Sequence, residues 1–235
     1  MGYTLKTKLA ASGNYGGSRT ASQIKYLVLH YTGNDGDSDE GNGEFFSNTV
    51  VKASAHYFVD DDSVTRSVPD LRVAWAVGGA KWADCGKTGG GTMYRIVTNS
   101  NSISVELCDV EKDGVYRASE ETIANAIELC RDLMRKYNIP IQNVYRHFDV
   151  TGKHCPAYMM DAAAWQNFKD RLEETIMDNK PSTYAEDAVE WAQAAGILRG
   201  DTSGNLRLTK NVTREELMVF LHRFAQHISN HMSKL

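Results

Sequence analysis

Lys25 to Thr32 restricts the possible folds more than any other segment: the apolar run Tyr26, Leu27, Val28, Leu29 leads into His30 and then a polar Gly33-Asn34-Asp35-Gly36 loop. Such a run reads as a buried strand, with His30 near its carboxyl end. Asn143 to Val150 reads as a second strand carrying His147, and Cys155 follows eight positions later, before Pro156. Two imidazoles and a thiolate suit a tetrahedral zinc, and three protein ligands leave a fourth position for water, which separates hydrolytic zinc sites from structural ones. The spacing matches no short finger or ribbon, so the fold itself must assemble such a site. Taken singly, each residue has a plainer reading: a histidine in an apolar strand is commonly a satisfied core group, and a cysteine before proline is commonly inert.

The chain around these residues alternates strand and helix. Ser119 is placed to N-cap a helix with Glu120 and Glu121 in its first turn, and Ile123, Ile127, Cys130, Met134 and Tyr137 follow at helical spacing up to Pro140. A second helix, about residues 161 to 178, carries Trp165, Phe168, Leu172 and Ile176 on one stripe suited to core packing. Val59 and Val64 flank Asp60-Asp61-Asp62-Ser63, a hairpin turn. The expected fold is α/β, a central mixed sheet flanked by helices, with a small all-α domain behind it. Residues 1–178 would form the first domain and 179–235 the second, joined by the linker Asn179-Lys180-Pro181-Ser182-Thr183. Between strand segments, Gly78 to Asn101 is long and glycine-rich, with Trp75, Trp82 and Tyr94 in or beside it. Irregular segments of that length are usually functional or mobile, and these aromatics are candidate substrate contacts.

Four stretches occur in one order: Val28-Leu29-His30-Tyr31-Thr32, Ser54-Ala55-His56-Tyr57-Phe58-Val59, Ser102-Ile103-Ser104-Val105-Glu106, and Arg146-His147 through Lys153-His154-Cys155-Pro156. Together they resemble the zinc amidases of the N-acetylmuramoyl-L-alanine amidase type 2 family, which includes phage endolysins and peptidoglycan recognition proteins. The resemblance implies cleavage of the amide between the lactyl group of N-acetylmuramic acid and the L-alanine of the peptidoglycan stem. It makes His30, His147 and Cys155 the zinc ligands and places Glu106, Tyr57 and Lys153 around the reacting amide. Glu106 would be the general base, and Lys153 would reach the oxyanion, since alternate residues of an extended segment share a side with Cys155. By the same parity His154 points away, and His56, opposite Tyr57, becomes a structural hydrogen-bonding residue. The chain departs from many relatives at Trp75-Ala76-Val77-Gly78, where a histidine commonly stands second.

The C-terminal segment has its own pattern: a short amphipathic helix, Asp187 to Ala195, ended by Gly196, a turn at Gly200 to Asn205, and a Thr213/Glu216 capping box opening a helix with Leu217, Phe220, Leu221 and Phe224 on one face. It resembles a single S-layer homology motif, which implies binding of a secondary cell-wall polymer, with Arg214 contacting acidic sugars. Such motifs usually act in threes, so a lone helical pair is expected to dock on the first domain or form a homo-oligomer. His227 and His231, four apart, read as a solvent-facing pair.

A net charge of −4 and pI near 6.0 argue against nucleic acid as the main partner. No apolar run approaches the roughly 20 residues of a membrane span. Four cysteines, one wanted by zinc, read as reduced thiols from a reducing cytoplasm. The polar, glycine-rich start lacks a secretory pattern, as expected of an endolysin reaching the wall through lesions made by a separate holin. A peptidoglycan-binding module without catalysis is the alternative; relatives of that kind typically lack the cysteine. No His-Glu-x-x-His occurs, which disfavours a metalloprotease.

Overall fold

The structure is a computed structural model that describes residues 3–177, 179–201, 204–208 and 212–232; the side chains of 174–177, 231 and 232 lie outside that description. Ile176, His231, Thr202 and Ser203, each part of an expectation above, therefore fall outside the described residues or side chains. The chain forms two compact units, Met1–Leu172 and Glu173–Leu235.

In chain order the elements are β1 (Thr4–Thr7), β2 (Tyr15–Ser18), β3 (Tyr26–Asp35), α1 (Asp39–Asn48), β4 (Tyr57–Val59), β5 (Ser63–Arg66), β6 (Arg72–Ala74), α2 (Cys85–Thr88), β7 (Ser102–Lys112), β8 (Val115–Arg117), α3 (Glu120–Tyr137), β9 (Val144–Arg146), α4 (His147–Thr151), α5 (Ala162–Met177), α6 (Glu186–Ala194) and α7 (Arg214–Met232). The main sheet runs β1-β5-β4-β7-β3-β9, with β8 paired to β7. It is mixed: β3 is parallel to β7 and β9, β4 is parallel to β7, and β5 is antiparallel to β4. A separate pair, β2 and β6, is antiparallel.

The two-residue period of β3 assigns its side chains to two different layers. Leu27 and Leu29 enter the larger core with Ile103, Val105 and Leu107 of β7, and with Ala126, Ile127, Leu129, Cys130, Leu133 and Met134 of α3. Val28 faces the other way, against Val77, Val97 and Val150. Ser119 accepts the Thr122 N–H at the start of α3, and Asn138 adopts the left-handed conformation at its end, so the helix is bounded as its sequence predicts. Phe168 and Leu172 of α5 complete the large core, with Trp165 stacked on Phe168.

His147 departs from the expected strand. β9 stops at Arg146, and His147 is the first residue of α4. The reason is local: the Asp149 carboxylate accepts the Arg146 backbone N–H at 2.8 Å and the Arg146 guanidinium at 2.7 Å, an acidic cap that starts a helix.

In the second unit, Thr213 and Glu216 make the reciprocal capping hydrogen bonds that open α7. Trp191 of α6 meets the rings of Phe224 and His227 edge-on. Leu217 and Leu221 remain 41% and 52% exposed, so this unit buries little of its apolar stripe. All four cysteines are free and buried, and no described helix is long and apolar enough to cross a membrane.

Candidate metal centre

Three elements bring His30, His147 and Cys155 together. β3 delivers His30 on the face opposite the large core, α4 presents His147 from its first residue, and the loop after α4 returns Cys155. That return depends on Gly152, at φ +89°, where a Cβ would lie 2.2 Å from the Cys85 Sγ. The loop is fastened by the Phe148 N–H donating to the Cys155 carbonyl at 3.0 Å.

All three side chains are buried and their ligand atoms lie within 4.8 Å of one another. The two Nδ1 atoms are 3.1 Å apart, and Cys155 Sγ is 3.9 Å from His30 Nδ1. Tetrahedral zinc with Zn–N near 2.05 Å and Zn–S near 2.3 Å requires N···N of about 3.3 Å and N···S of about 3.6 Å, so the donor set fits such an ion. Burial, then mutual repulsion and Lys153, holds His30 well below its ordinary pKa, and burial lowers His147 to about 4. Both imidazoles are therefore neutral at pH 7, the form that ligates metals. Burial and the Glu106 charge push the Cys155 thiol up; a cation at this point would favour the thiolate. His30 Nε2 and Glu106 Oε2 are buried without protein hydrogen-bond partners, as polar atoms beside an ion or water position often are.

Glu106 is the β7 residue in register with His30, and its carboxylate lies 3.8 Å from His30 Nδ1. Burial raises its pKa to about 8, Lys153 pulls it down, and Asp37 and Asp109 push it up. Lys153 is exposed, and its charge acts on all four groups, His30, Glu106, His147 and Cys155. His154 lies apart, its ring stacked on Trp82 at 5.8 Å.

Tyr57 does not face this group. In the β4–β7 register Phe58 pairs with Glu106 and Tyr57 with Val105, so Tyr57 belongs to the large-core face. Its hydroxyl donates to the buried Asp70 carboxylate, which also accepts from Tyr137 at 2.6 Å and Lys136 at 2.8 Å. The expectation that Tyr57 contacts the reacting amide is corrected: its task is structural. His56 is fully buried, its Nδ1 accepting the Ser104 N–H and its Nε2 lying 2.7 Å from Arg19. Burial lowers its pKa to about 3, Arg19 adding to the effect.

The aromatic candidates divide. Trp75 and Tyr94 line one groove, whereas Trp82 sits with His154 and carries no part of that groove. Arg214 is the exposed first residue of α7. Asp149, which starts the helix bearing His147, escaped the sequence reading. An Asp two positions after a histidine at a strand end was the available signal.

A buried His-His-Cys group with a carboxylate on the neighbouring strand, at one face of a mixed sheet, is a group of donors that could hold a metal ion. Residues 20–158 match the family model for N-acetylmuramoyl-L-alanine amidase, and residues 177–218 match that of the S-layer homology domain. The chain belongs to the N-acetylmuramoyl-L-alanine amidase family. It is similar to the amidase CwlL of Bacillus licheniformis, at 30% identity over 189 residues, covering 77% of this chain and 50% of that protein. The amidase BlyA of Bacillus subtilis (strain 168) is 34% identical over 157 residues, covering 63% and 41%. The chain thus spans about half the length of these relatives. Among solved structures it resembles PlyL, with 28% identity, TM-score 0.56 and coverage of 73% of this chain and 97% of that one. The PlyG catalytic domain gives 28%, 0.57, 76% and 99%.

Proposed function

We propose that this chain is a zinc-dependent amidase that cleaves the bond between N-acetylmuramic acid and the first L-alanine of peptidoglycan. The observation that carries the reading is the placement of Glu106 beside a buried His30, His147 and Cys155 group in a chain of this family. Zinc, when bound by these three residues, would supply Lewis acidity, which lowers the pKa of water from about 15.7 to roughly 7.

The protein's own groups do the rest. Glu106, held at the edge of the group by strand register and ionised once a bound cation offsets the burial that raises its pKa, removes a proton from the attacking water and later delivers it to the departing alanine nitrogen. The C–O bond forms first and puts negative charge on the carbonyl oxygen; the C–N bond then breaks as the nitrogen takes the proton, so the proton balance closes on that one carboxylate. Lys153 neutralises the developing oxyanion, a role for which its influence on all four buried groups and its solvent-side position suit it. The neutral imidazoles of His30 and His147 keep their lone pairs for the ion.

The substrate sets the place of action at the bacterial wall, and a role as a phage or prophage endolysin belongs to the same reading. The second unit, through its S-layer homology segment and the exposed Arg214, would hold an acidic secondary wall polymer. Mass spectrometry of digested walls tests the reaction: free L-alanine amino termini with intact lactyl-muramic sugars are expected, and new reducing sugar ends would overturn it.

A further inference from the structure

The segment from Trp82 to Met93 is fastened to the stretch that carries His147, Lys153 and Cys155. The Trp82 N–H and the Cys85 thiol both donate to the Thr151 carbonyl, at 2.8 and 3.5 Å. Further along, the Gly91 N–H donates to the Phe148 carbonyl at 2.9 Å and the Met93 N–H to the Asp149 carbonyl at 2.8 Å. The two backbones pack closely: a Cβ on Gly152 would stand 3.2 Å from the Trp82 Cβ, and one on Gly90 would stand 2.6 Å from the Phe148 ring.

Trp82 contributes a side chain as well as a backbone contact. Its indole stacks on the His154 imidazole, with centroids 5.8 Å apart and planes 26° from parallel. The Phe148 ring meets the same imidazole edge-on at 6.1 Å, and Asp84 Oδ2 lies 3.9 Å from its Nε2. Three groups therefore hold the His154 ring although its side chain is 52% exposed.

That anchor acts on the residues to either side. The Cys155 N–H donates to the Lys153 carbonyl at 2.7 Å, which makes His154 the middle of a three-residue turn. On the other side the Lys153 N–H donates to Thr151 Oγ1 at 3.4 Å. A lysine side chain is a flexible four-carbon stem, so the aim of its ammonium is set first by where its backbone is fixed. The backbone of Lys153 is fixed by Thr151 before it and by the His154 turn after it. A misplacement of about 1 Å at a reacting group can cost on the order of a hundredfold in rate.

We propose that Trp82 is a positioning residue for Lys153: by holding the His154 ring it fixes the turn from which the Lys153 ammonium reaches the oxyanion. This role rests on the amidase reading above and deepens it. It gives Trp82 a task other than the substrate contact suggested by its place in a long loop.

The test is kinetics of the full chain on solubilised wall, with zinc content and melting point measured for each variant. Trp82→Ala is expected to lower kcat about tenfold at unchanged KM and zinc content, part of the larger loss expected when the Lys153 ammonium itself is removed. Trp82→Phe keeps a ring against His154 and should return kcat to within about twofold of the parent. In the Lys153→Ala background, Trp82→Ala should have no further effect, as for residues that act through one another. A raised KM at unchanged kcat would make Trp82 a substrate contact, lost zinc would make it a support for Cys155, and an equal tenfold loss without Lys153 would place its action elsewhere. Each of these overturns the proposal. Should Trp82→Ala not fold, His154→Ala, which removes the other, half-exposed ring, repeats the same comparisons. Exchange of the Lys153 and Cys155 amide hydrogens, followed by NMR, reads the turn without turnover. It should be about tenfold faster in Trp82→Ala and parent-like in Trp82→Phe, and unchanged exchange overturns the latch. Were the wall digests to show no free L-alanine termini, the amidase reading would fall on its own, and the exchange rates would still decide whether Trp82 fixes this turn.

Discussion

Replacing Tyr57 by Phe separates a structural from a catalytic role for this side chain. The ring stays, so no cavity opens, and only the hydroxyl donated to Asp70 is lost. A hydrogen bond to a charged group contributes about 1.5–3 kcal/mol. Asp70 retains Tyr137 and Lys136, which places the loss near the low end, about 1.5–2 kcal/mol. For a unit of this size each kcal/mol moves Tm by about 2–4 °C, so the melting point should drop by roughly 3–8 °C. Urea unfolding should show a lower midpoint at unchanged slope. Turnover of solubilised wall at 25 °C should stay within about twofold of the parent chain, since the hydroxyl lies on the opposite face of the sheet from Glu106. A fall of about a hundredfold or more in kcat with no change in Tm, the signature of a lost oxyanion donor, would refute the assignment.

Four further outcomes are expected. Glu106→Gln should lower kcat by about 10²–10⁴ while zinc content, measured by atomic absorption, stays at the parent level. Lys153→Ala should cost on the order of a hundredfold to a thousandfold in kcat, again with metal retained, and an unchanged kcat would remove Lys153 from the mechanism. A strong chelator should abolish activity and added zinc restore it, and Cys155→Ser should lose zinc on dialysis; chelator-insensitive cleavage contradicts the metal reading. Asp70 is buried, which raises its pKa, but hydrogen bonds from Lys136, Tyr137 and Tyr57 overcome this and hold it below the ordinary value. Its stabilising effect is therefore fully present above about pH 4 and lost as pH falls through the depressed native pKa. Asp70→Asn should lower stability at pH 7 and flatten the acid limb of a pH–stability curve below pH 4.

Local chemistry was legible at several places where the interacting residues are close in sequence, although the Arg146/Asp149 cap was missed. Ser119, the apolar spacing of α3 and the Asn138 terminus describe a helix whose hydrogen bonds all lie within its own segment, and the Thr213/Glu216 box is local in the same way. The buried run ending in His30 required a sheet, and four separated stretches indicated which residues share the site. What depends on register was not legible. A side-chain period of two means that a strand shifted by one residue exchanges its faces, and nothing in Ser54 to Val59 says which residue meets Glu106. The parity argument correctly set Tyr57 opposite His56; the β4–β7 pairing then turned Tyr57 into the core. His147 was read as strand because Asp149, three residues past Arg146, acts only once the chain turns back on itself. Trp75 and Tyr94 are nineteen positions apart, and they share one groove, without Trp82, because the Asn99 bridge, the Tyr94–Gly79 hydrogen bond and the Val77–Val97 packing join the two loop walls. The sequence alone determined the donor types and, except for His147, the elements that carry them; their directions and separations came from long-range pairing, because contacts across a sheet are chosen by the whole packed structure and not by neighbours along the chain.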